Sequence, residues 1–216
     1  MSKRSKSLVS LRKQPKQARS NELVAIILEA AIQVLAREGA SRFTTARVAE
    51  RSGVSVGSIY QYFPNKASIL FRLQCDEWKQ TTEMLREILE DKSHPPLKRL
   101  RTLVHAFLKS ECDEASMRIA LSDAAPLYRD APETQEAMAE GQRIFQAFFR
   151  ELLPDLPQKA FDQTTDLVTT TLSEVGKRFS EEPRTPVEIA SYADAMADML
   201  CVYLSDLPKQ ASPQTR

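Results

Sequence analysis

Residues 42–70, RFTTARVAERSGVSVGSIYQYFPNKASIL, constrain the fold more than any other part of the chain, because they read as two short helices around a glycine turn followed by the start of a third. Thr44 or Thr45 caps a helix whose apolar positions Val48 and Ala49 face inward. Gly53 supplies a turn conformation that a residue with a Cβ adopts reluctantly. Ser55 caps the next helix, in which Val54, Ile59 and Phe63 hold the core, and this leaves Val56, Gly57, Ser58, Gln61 and Tyr62 on or near the outer face. A helix-turn-helix with an outer face of small, polar and aromatic groups suits a major groove.

The rest of the chain also reads as helical, with no alternating strand pattern and only five glycines. Caps and prolines predict the boundaries. The first helix runs from about Ser20 to Glu38, the next two from Thr45 to Ser52 and from Val56 to Tyr62, and a long fourth from Lys66 to about Asp91. His94-Pro95-Pro96 interrupts the pattern. A fifth helix spans about Pro96 to Glu111 and a sixth about Glu114 to Ala124, and Asp130-Ala131-Pro132 opens a seventh that closes at Pro154. Asp155-Leu156-Pro157 opens the eighth. Thr185-Pro186-Val187-Glu188 is a capping box with proline at the first helical position, which starts a ninth helix ending near Leu207. The expected fold is all-α with about nine helices. Its parts are a basic disordered arm (1–19), a three-helix DNA-binding domain (20–66), a helical ligand-binding and dimerisation domain (67–207) and a disordered tail (208–216).

Charge separates the two domains. Residues 1–66 hold twelve Lys and Arg against four Asp and Glu, and the remainder holds eighteen against twenty-five, although the whole chain nets only +1. The arm carries seven of those cations and no acid, and placed before a helix-turn-helix it reads as a segment that lies along phosphates or reaches a minor groove. Cys75, Cys112 and Cys201 are widely spaced and odd in number, against a disulfide framework or zinc site. No apolar run approaches a membrane span, which predicts a cytoplasmic protein without membrane contact. Two histidines eleven positions apart, with no metal-ligand spacing, Gly-rich phosphate loop or nucleophile motif, predict no catalytic site, no metal and no cofactor.

The order Thr44-Thr45, Val48-Ala49, Gly53-Val54-Ser55, Gly57-Ser58-Ile59-Tyr60, Tyr62-Phe63 and Asn65-Lys66 resembles the DNA-binding domain of the tetracycline-repressor (TetR/AcrR) family of bacterial regulators over residues 20–70. Ser52 stands where alanine is frequent and Arg47 where an acid is frequent; Arg47 adds a phosphate contact or is simply solvated. The resemblance implies that Thr45 and the free N–H groups beside it bind a phosphate, and that Ser55, Val56, Gly57 and Ser58 open the recognition helix toward base edges. It further implies that Gln61 pairs with adenine and that Tyr60 and Tyr62 meet the DNA backbone, unless their rings pack. Lys66 at a helix N-terminus opposes the macrodipole, a cost that a nearby phosphate offsets.

Two further features point beyond DNA. Phe161, Val168, Leu172, Val175 and Phe179 recur at helical spacing, as do Ile189, Met196, Leu200 and Tyr203. By pattern alone these stripes serve equally as internal core or as a partner face; the family resemblance, which implies dimers built on the last two helices, favours a homodimer interface. In the middle of the chain Trp78, Leu85, Val104, Leu108, Phe145, Phe148 and Phe149 form an aromatic-rich apolar set suited to a small-molecule effector. His105, with Arg118 and Asp123, is the candidate polar anchor; otherwise it is a hydrogen-bonded core histidine. Cys112 sits beside two acids, which raise a thiol's pKa and speak against redox sensing. The implied function is a homodimeric repressor, released from a palindromic operator by a hydrophobic or amphipathic effector; the alternative is an architectural DNA binder without sequence preference.

Overall fold

The computed structural model describes the backbone of residues 18–127 and 132–211, and among these it contains helices and no strand. Most of the basic arm therefore lies outside the described residues. The helices are α1 (Ala18–Arg42), α2 (Thr45–Ser52), α3 (Val56–Tyr62), α4 (Lys66–Leu89) and α5 (Pro96–Asp113). They are followed by α6 (Ala115–Ala124), a short 3-10 turn (Ala125–Leu127), α7 (Pro132–Leu152), α8 (Gln158–Ser180) and α9 (Pro186–Ala211). None of the described helices is long and apolar enough to cross a membrane.

Local chemistry accounts for the boundaries. In α1 the helical backbone breaks at Gly39 (φ 70°), where the sequence predicts its end, and one more turn then reaches Arg42. Thr44 caps α2 by accepting from the Arg47 N–H, and Ser55 caps α3 by accepting from the Ser58 N–H. At the start of α4, Asn65 and Ser68 bond reciprocally: the Ser68 N–H donates to Asn65 Oδ1 at 2.9 Å and the Asn65 N–H donates to Ser68 Oγ at 3.3 Å. The capping box of α9 forms as predicted, with Glu188 Oε2 accepting from the Thr185 N–H at 2.8 Å while Thr185 Oγ1 accepts from the Glu188 N–H. That backbone hydrogen bond, which favours the ionised form, lowers the Glu188 pKa. The other end of α9 departs from the prediction. The helix runs on past Pro208 to Ala211, so the expected tail begins no earlier than residue 212, outside the described residues.

Gly53 closes α2 in the left-handed region at φ 67°, and a Cβ built on it would meet nothing within 4 Å. Conformation alone thus demands glycine here. We predict that Gly53→Ala costs about 1–2 kcal/mol, the left-handed penalty of an L-residue, read as a lower urea midpoint at unchanged slope.

The described residues pack into two compact units. One takes α1 to α3, α4 as far as Lys79, and α6; the other takes α4 from Gln80, α5, α7 from Ala139, α8 and α9. The sequence boundary at residue 66 therefore falls too early, and α6 packs with the helix-turn-helix. Its Ala120, Leu121 and Ala124 share a core with Ile27, Leu35, Phe43, Val48, Ile59, Phe63 and Ile69.

In the second unit α5 packs against both α8 and α9. Leu100, Leu103, Val104 and Leu108 of α5 are buried in one core with Phe148 and Phe149 of α7. Phe161, Val168 and Leu172 of α8 and Met196 and Leu200 of α9 complete that core, and Val175, Phe179 and Tyr203 pack against it half-buried. The approach of α8 to α5 is close enough at Gly176 that a Cβ there would lie 2.9 Å from Phe107 Cε1. The fully buried members of the two stripes thus have an apolar partner within the chain itself. The two stripes face inward because α5 supplies the apolar partner they need, and Ile189 at the start of α9 is only half-exposed.

Candidate nucleic-acid interface

The outer surface of α3 follows from its register. Ile59, Tyr62 and Phe63 are buried, so Val56, Gly57, Tyr60 and Gln61 are exposed. Ser55 and Ser58 flank the start of the helix, their hydroxyls 2.8 Å apart. Lys66, at the first position of α4, is exposed as well. A short helix thus presents a small residue, an apolar contact, a phenol and an amide in one strip, the mixture that reads base edges and phosphates together.

Three of the residues expected at the DNA are largely buried or already paired. Tyr62 is only 5% exposed, its ring filling the core of the first unit, and Tyr60 is the tyrosine that faces outward. Thr45 is buried as well. The exposed threonine at this terminus is the cap, Thr44, whose hydroxyl accepts from the Arg47 N–H at 3.3 Å and keeps its own O–H to donate. The adjacent threonines left this choice open until the helix register was known. Arg47 pairs with Glu38 of α1 and donates to the Arg42 carbonyl, so its cation is already committed within the domain.

A surface cleft of about 550 Å³ lies between α1 and α2, lined by Gln33, Val34, Arg37, Glu38, Arg47, Glu50 and Arg51. Its cations are mostly engaged, Arg47 with Glu38 and Arg51 with Gln33. The two carboxylates further oppose an anion there.

The expected effector residues divide between the units. Leu85, Val104, Leu108, Phe148 and Phe149 lie together in the second core, and Phe145 packs against it. Phe149 meets Phe148 edge-on at 5.4 Å and stacks with Phe145 at 6.1 Å. Trp78 instead packs, partly buried, against the first unit's core. Arg118 is also in the first unit and pairs with Glu77, while Asp123 is exposed on α6. His105 is not enclosed by its apolar neighbours: it lies on the outer side of α5, where Nε2 sits 3.1 Å from Asp194 Oδ1 of α9. Helical register explains this, since Val104 and Leu108 turn inward on the same helix. The Cys112 pKa is raised, chiefly by burial and then by Asp113 and Glu111, which leaves little thiolate for redox chemistry.

An outward-facing α3 behind a glycine turn, on an all-helical body, defines a helix-turn-helix DNA-binding protein. Residues 27–73 match the model for bacterial regulatory proteins of the tetR family, and residues 95–207 match the tetracycline repressor-like C-terminal domain. The chain belongs to the TetR family of bacterial transcriptional regulators. Among similar proteins, the fatty acid metabolism regulator of Bacillus subtilis is 34% identical over 67 residues, 31% of this chain and 34% of that one. The nucleoid occlusion factor SlmA of Vibrio campbellii is 37% identical over 83 residues, 38% of this chain and 42% of that one. Both matches cover less than half of those relatives. FadR from Bacillus halodurans has a similar fold, at TM-score 0.66 and 18% identity over 87% of this chain and 97% of that one. FadR from Bacillus subtilis, solved with stearoyl-CoA, aligns at TM-score 0.63 and 17% identity, covering 82% and 97%.

Proposed function

We propose that the chain is a homodimeric repressor that reads a palindromic operator with α3 and releases it when a long-chain acyl thioester binds the second unit. The observation that carries the DNA-reading part is the outward strip Val56, Gly57, Tyr60 and Gln61 beside the exposed Lys66. In this reading Gly57 lets the backbone approach base edges, Val56 meets a thymine methyl, and Gln61 pairs bidentately with adenine. Thr44, Tyr60 and Lys66 contact phosphates.

The dimer face is the opposite side of the last two helices from the stripes that pack inward. Leu167 of α8 is 49% exposed, and Met199 and Val202 of α9 are 53% and 69% exposed. Ala195, Met199 and Val202 recur at helical spacing, so they form one strip of an exposed face. Exposed large apolar side chains on neighbouring helices are a feature that a second copy would cover.

The acyl thioester follows from the apolar, aromatic-lined interior of the second unit together with the ligand held by the Bacillus subtilis FadR. The chemistry fits an effector whose chain is apolar and whose head is polar. In the resulting cycle, ligand and operator compete without touching, and a tenfold loss of operator affinity requires the ligand to prefer the released state by about 1.4 kcal/mol.

Two experiments test this reading. Stearoyl-CoA titrated into a protein–operator complex, followed by fluorescence anisotropy, should release the DNA; undiminished operator binding by protein saturated with the ligand would contradict the effector assignment. For the recognition surface, Gln61→Ala should cost about 1–3 kcal/mol and relax one symmetric base position, whereas Lys66→Ala should weaken all sequences alike and reduce the salt slope. Equal loss on specific and random DNA with unchanged slopes in both variants would overturn it.

A further inference from the structure

Two side-chain bridges span the cleft between α1 and α2, and an arginine of α2 forms each. Arg51 Nε donates to Gln33 Oε1 at 2.5 Å, and Arg47, four residues earlier, pairs with Glu38. Arg47 makes a second contact with the same atom. Its Nη1, which meets Glu38 Oε2, also donates to the Arg42 carbonyl at 3.3 Å. Glu38 and Arg42 lie on opposite sides of Gly39, whose φ of 70° breaks the helical backbone of α1. One guanidinium nitrogen therefore holds both sides of that break, and it reaches them from α2.

We propose that Arg47 is a positioning residue for operator recognition: by clamping Glu38 and Arg42 across the Gly39 break, it fixes the angle at which α2 leaves α1. Packing does not fix that angle at the break itself, since a Cβ built on Gly39 would meet nothing within 4 Å. Apart from Val34, the cleft beside it is lined by charged and amide side chains, so this edge of α2 is held by bridges. Charge favours the same pairing. Arg47 in the first turn of α2 opposes the helix macrodipole, that turn contains no acid of its own, and Glu38 of α1 supplies the offsetting charge. Only Gly53, Val54 and Ser55 separate α2 from α3, so a tilt of α2 displaces the recognition strip. The Arg47 and Glu38 side chains are 43% and 33% exposed, a setting in which an ion pair adds little to stability. Its effect lies in geometry. Arg47 also stands where the family frequently has an acid, which makes the clamp a feature of this chain.

The proposal rests on the reading of α3 as the operator-recognising helix, and its test separates the two. Binding is measured on the palindromic duplex that the full-length protein selects from genomic fragments and on a scrambled duplex of equal length, at several salt concentrations. Glu38→Gln and Arg47→Gln should each lower the ratio of operator to scrambled affinity about fivefold or more, because a surface no longer held in place must be ordered on binding. Salt slopes should not change. The exchanged pair, Glu38→Arg with Arg47→Glu, should show a higher ratio than Arg47→Glu alone. A phosphate-contacting Arg47 predicts the opposite: Glu38→Gln would free the cation and raise affinity for every sequence, and Arg47→Gln would reduce the salt slope by about one per half-site. A merely stabilising pair would shift the urea midpoint and leave the ratio alone. Either pattern, or an exchanged pair no better than Arg47→Glu, overturns the clamp.

Amide hydrogen exchange reads the clamp without DNA. In both glutamine variants residues 40–46 should exchange about fivefold faster or more, while residues 24–35 of α1 keep the parent's rates. Unchanged exchange at 40–46 overturns the clamp. If the parent protein itself prefers no duplex over its scrambled control, the operator reading fails instead, and the exchange measurement then decides the clamp by itself.

Discussion

Met199→Asp combined with Val202→Asp should yield a monomer that retains its helix content and binds operator at least 100-fold more weakly, a loss of about 2.7 kcal/mol or more. Both side chains are exposed in the single chain, so the substitutions disturb no packing of the fold itself. Their cost arises on association, where two carboxylates from each copy would be stripped of water beside apolar partners. Affinity falls so far because a dimer holds its second recognition helix at high effective concentration over the second half-site, an advantage a monomer lacks. Light scattering and anisotropy read the two effects separately. A doubly substituted protein that stays dimeric and binds normally would place the interface elsewhere.

Phe149→Ala should destabilise the second unit by about 3–5 kcal/mol, the range for a large-to-alanine change where the neighbours cannot collapse into the space. Phe149 is fully buried and holds aromatic contacts with both Phe145 and Phe148, so its removal opens a cavity at the centre of the α5, α7, α8 and α9 packing. The first unit has its own core, to which Phe149 does not belong. Thermal unfolding followed by near-ultraviolet circular dichroism should therefore show an early transition in the variant, with the Trp78 signal lost later. A loss below about 1 kcal/mol would mean the site repacks, outside the range for buried phenylalanine.

Much of the DNA-binding unit was legible in the sequence because its determinants are local. Gly53 and Ser55 act over three or four residues and sit where spacing alone predicts, as does the Thr185–Glu188 box that starts α9 in the other unit. Errors arose where a side chain's direction depends on distant packing. Tyr62 and Thr45 belong to the types that touch DNA, but the turn of each helix leaves them only 5% and 8% exposed. The same limit explains the stripes on α8 and α9. An apolar face requires a cover without saying whether α5 or a second copy supplies it, and here α5 does. The apolar neighbours of His105 in sequence point to other sides of the helix, so they do not describe its own surroundings. The Glu77–Arg118 pair had no sequence signal at all, since 41 residues separate its members and nothing local relates them.

The most direct test of the account is selection of DNA fragments by the purified full-length protein at fixed salt, followed by affinity measurement on the selected site and on random duplex of equal length. Sequence-specific regulation by a dimer predicts enrichment of a palindrome whose half-sites fit a two-fold axis, bound about 10³-fold or more above random DNA. Retained fragments without a common motif, bound no more tightly than random duplex and with the same salt slope, would contradict sequence-specific regulation and leave a protein that binds DNA through its charge alone.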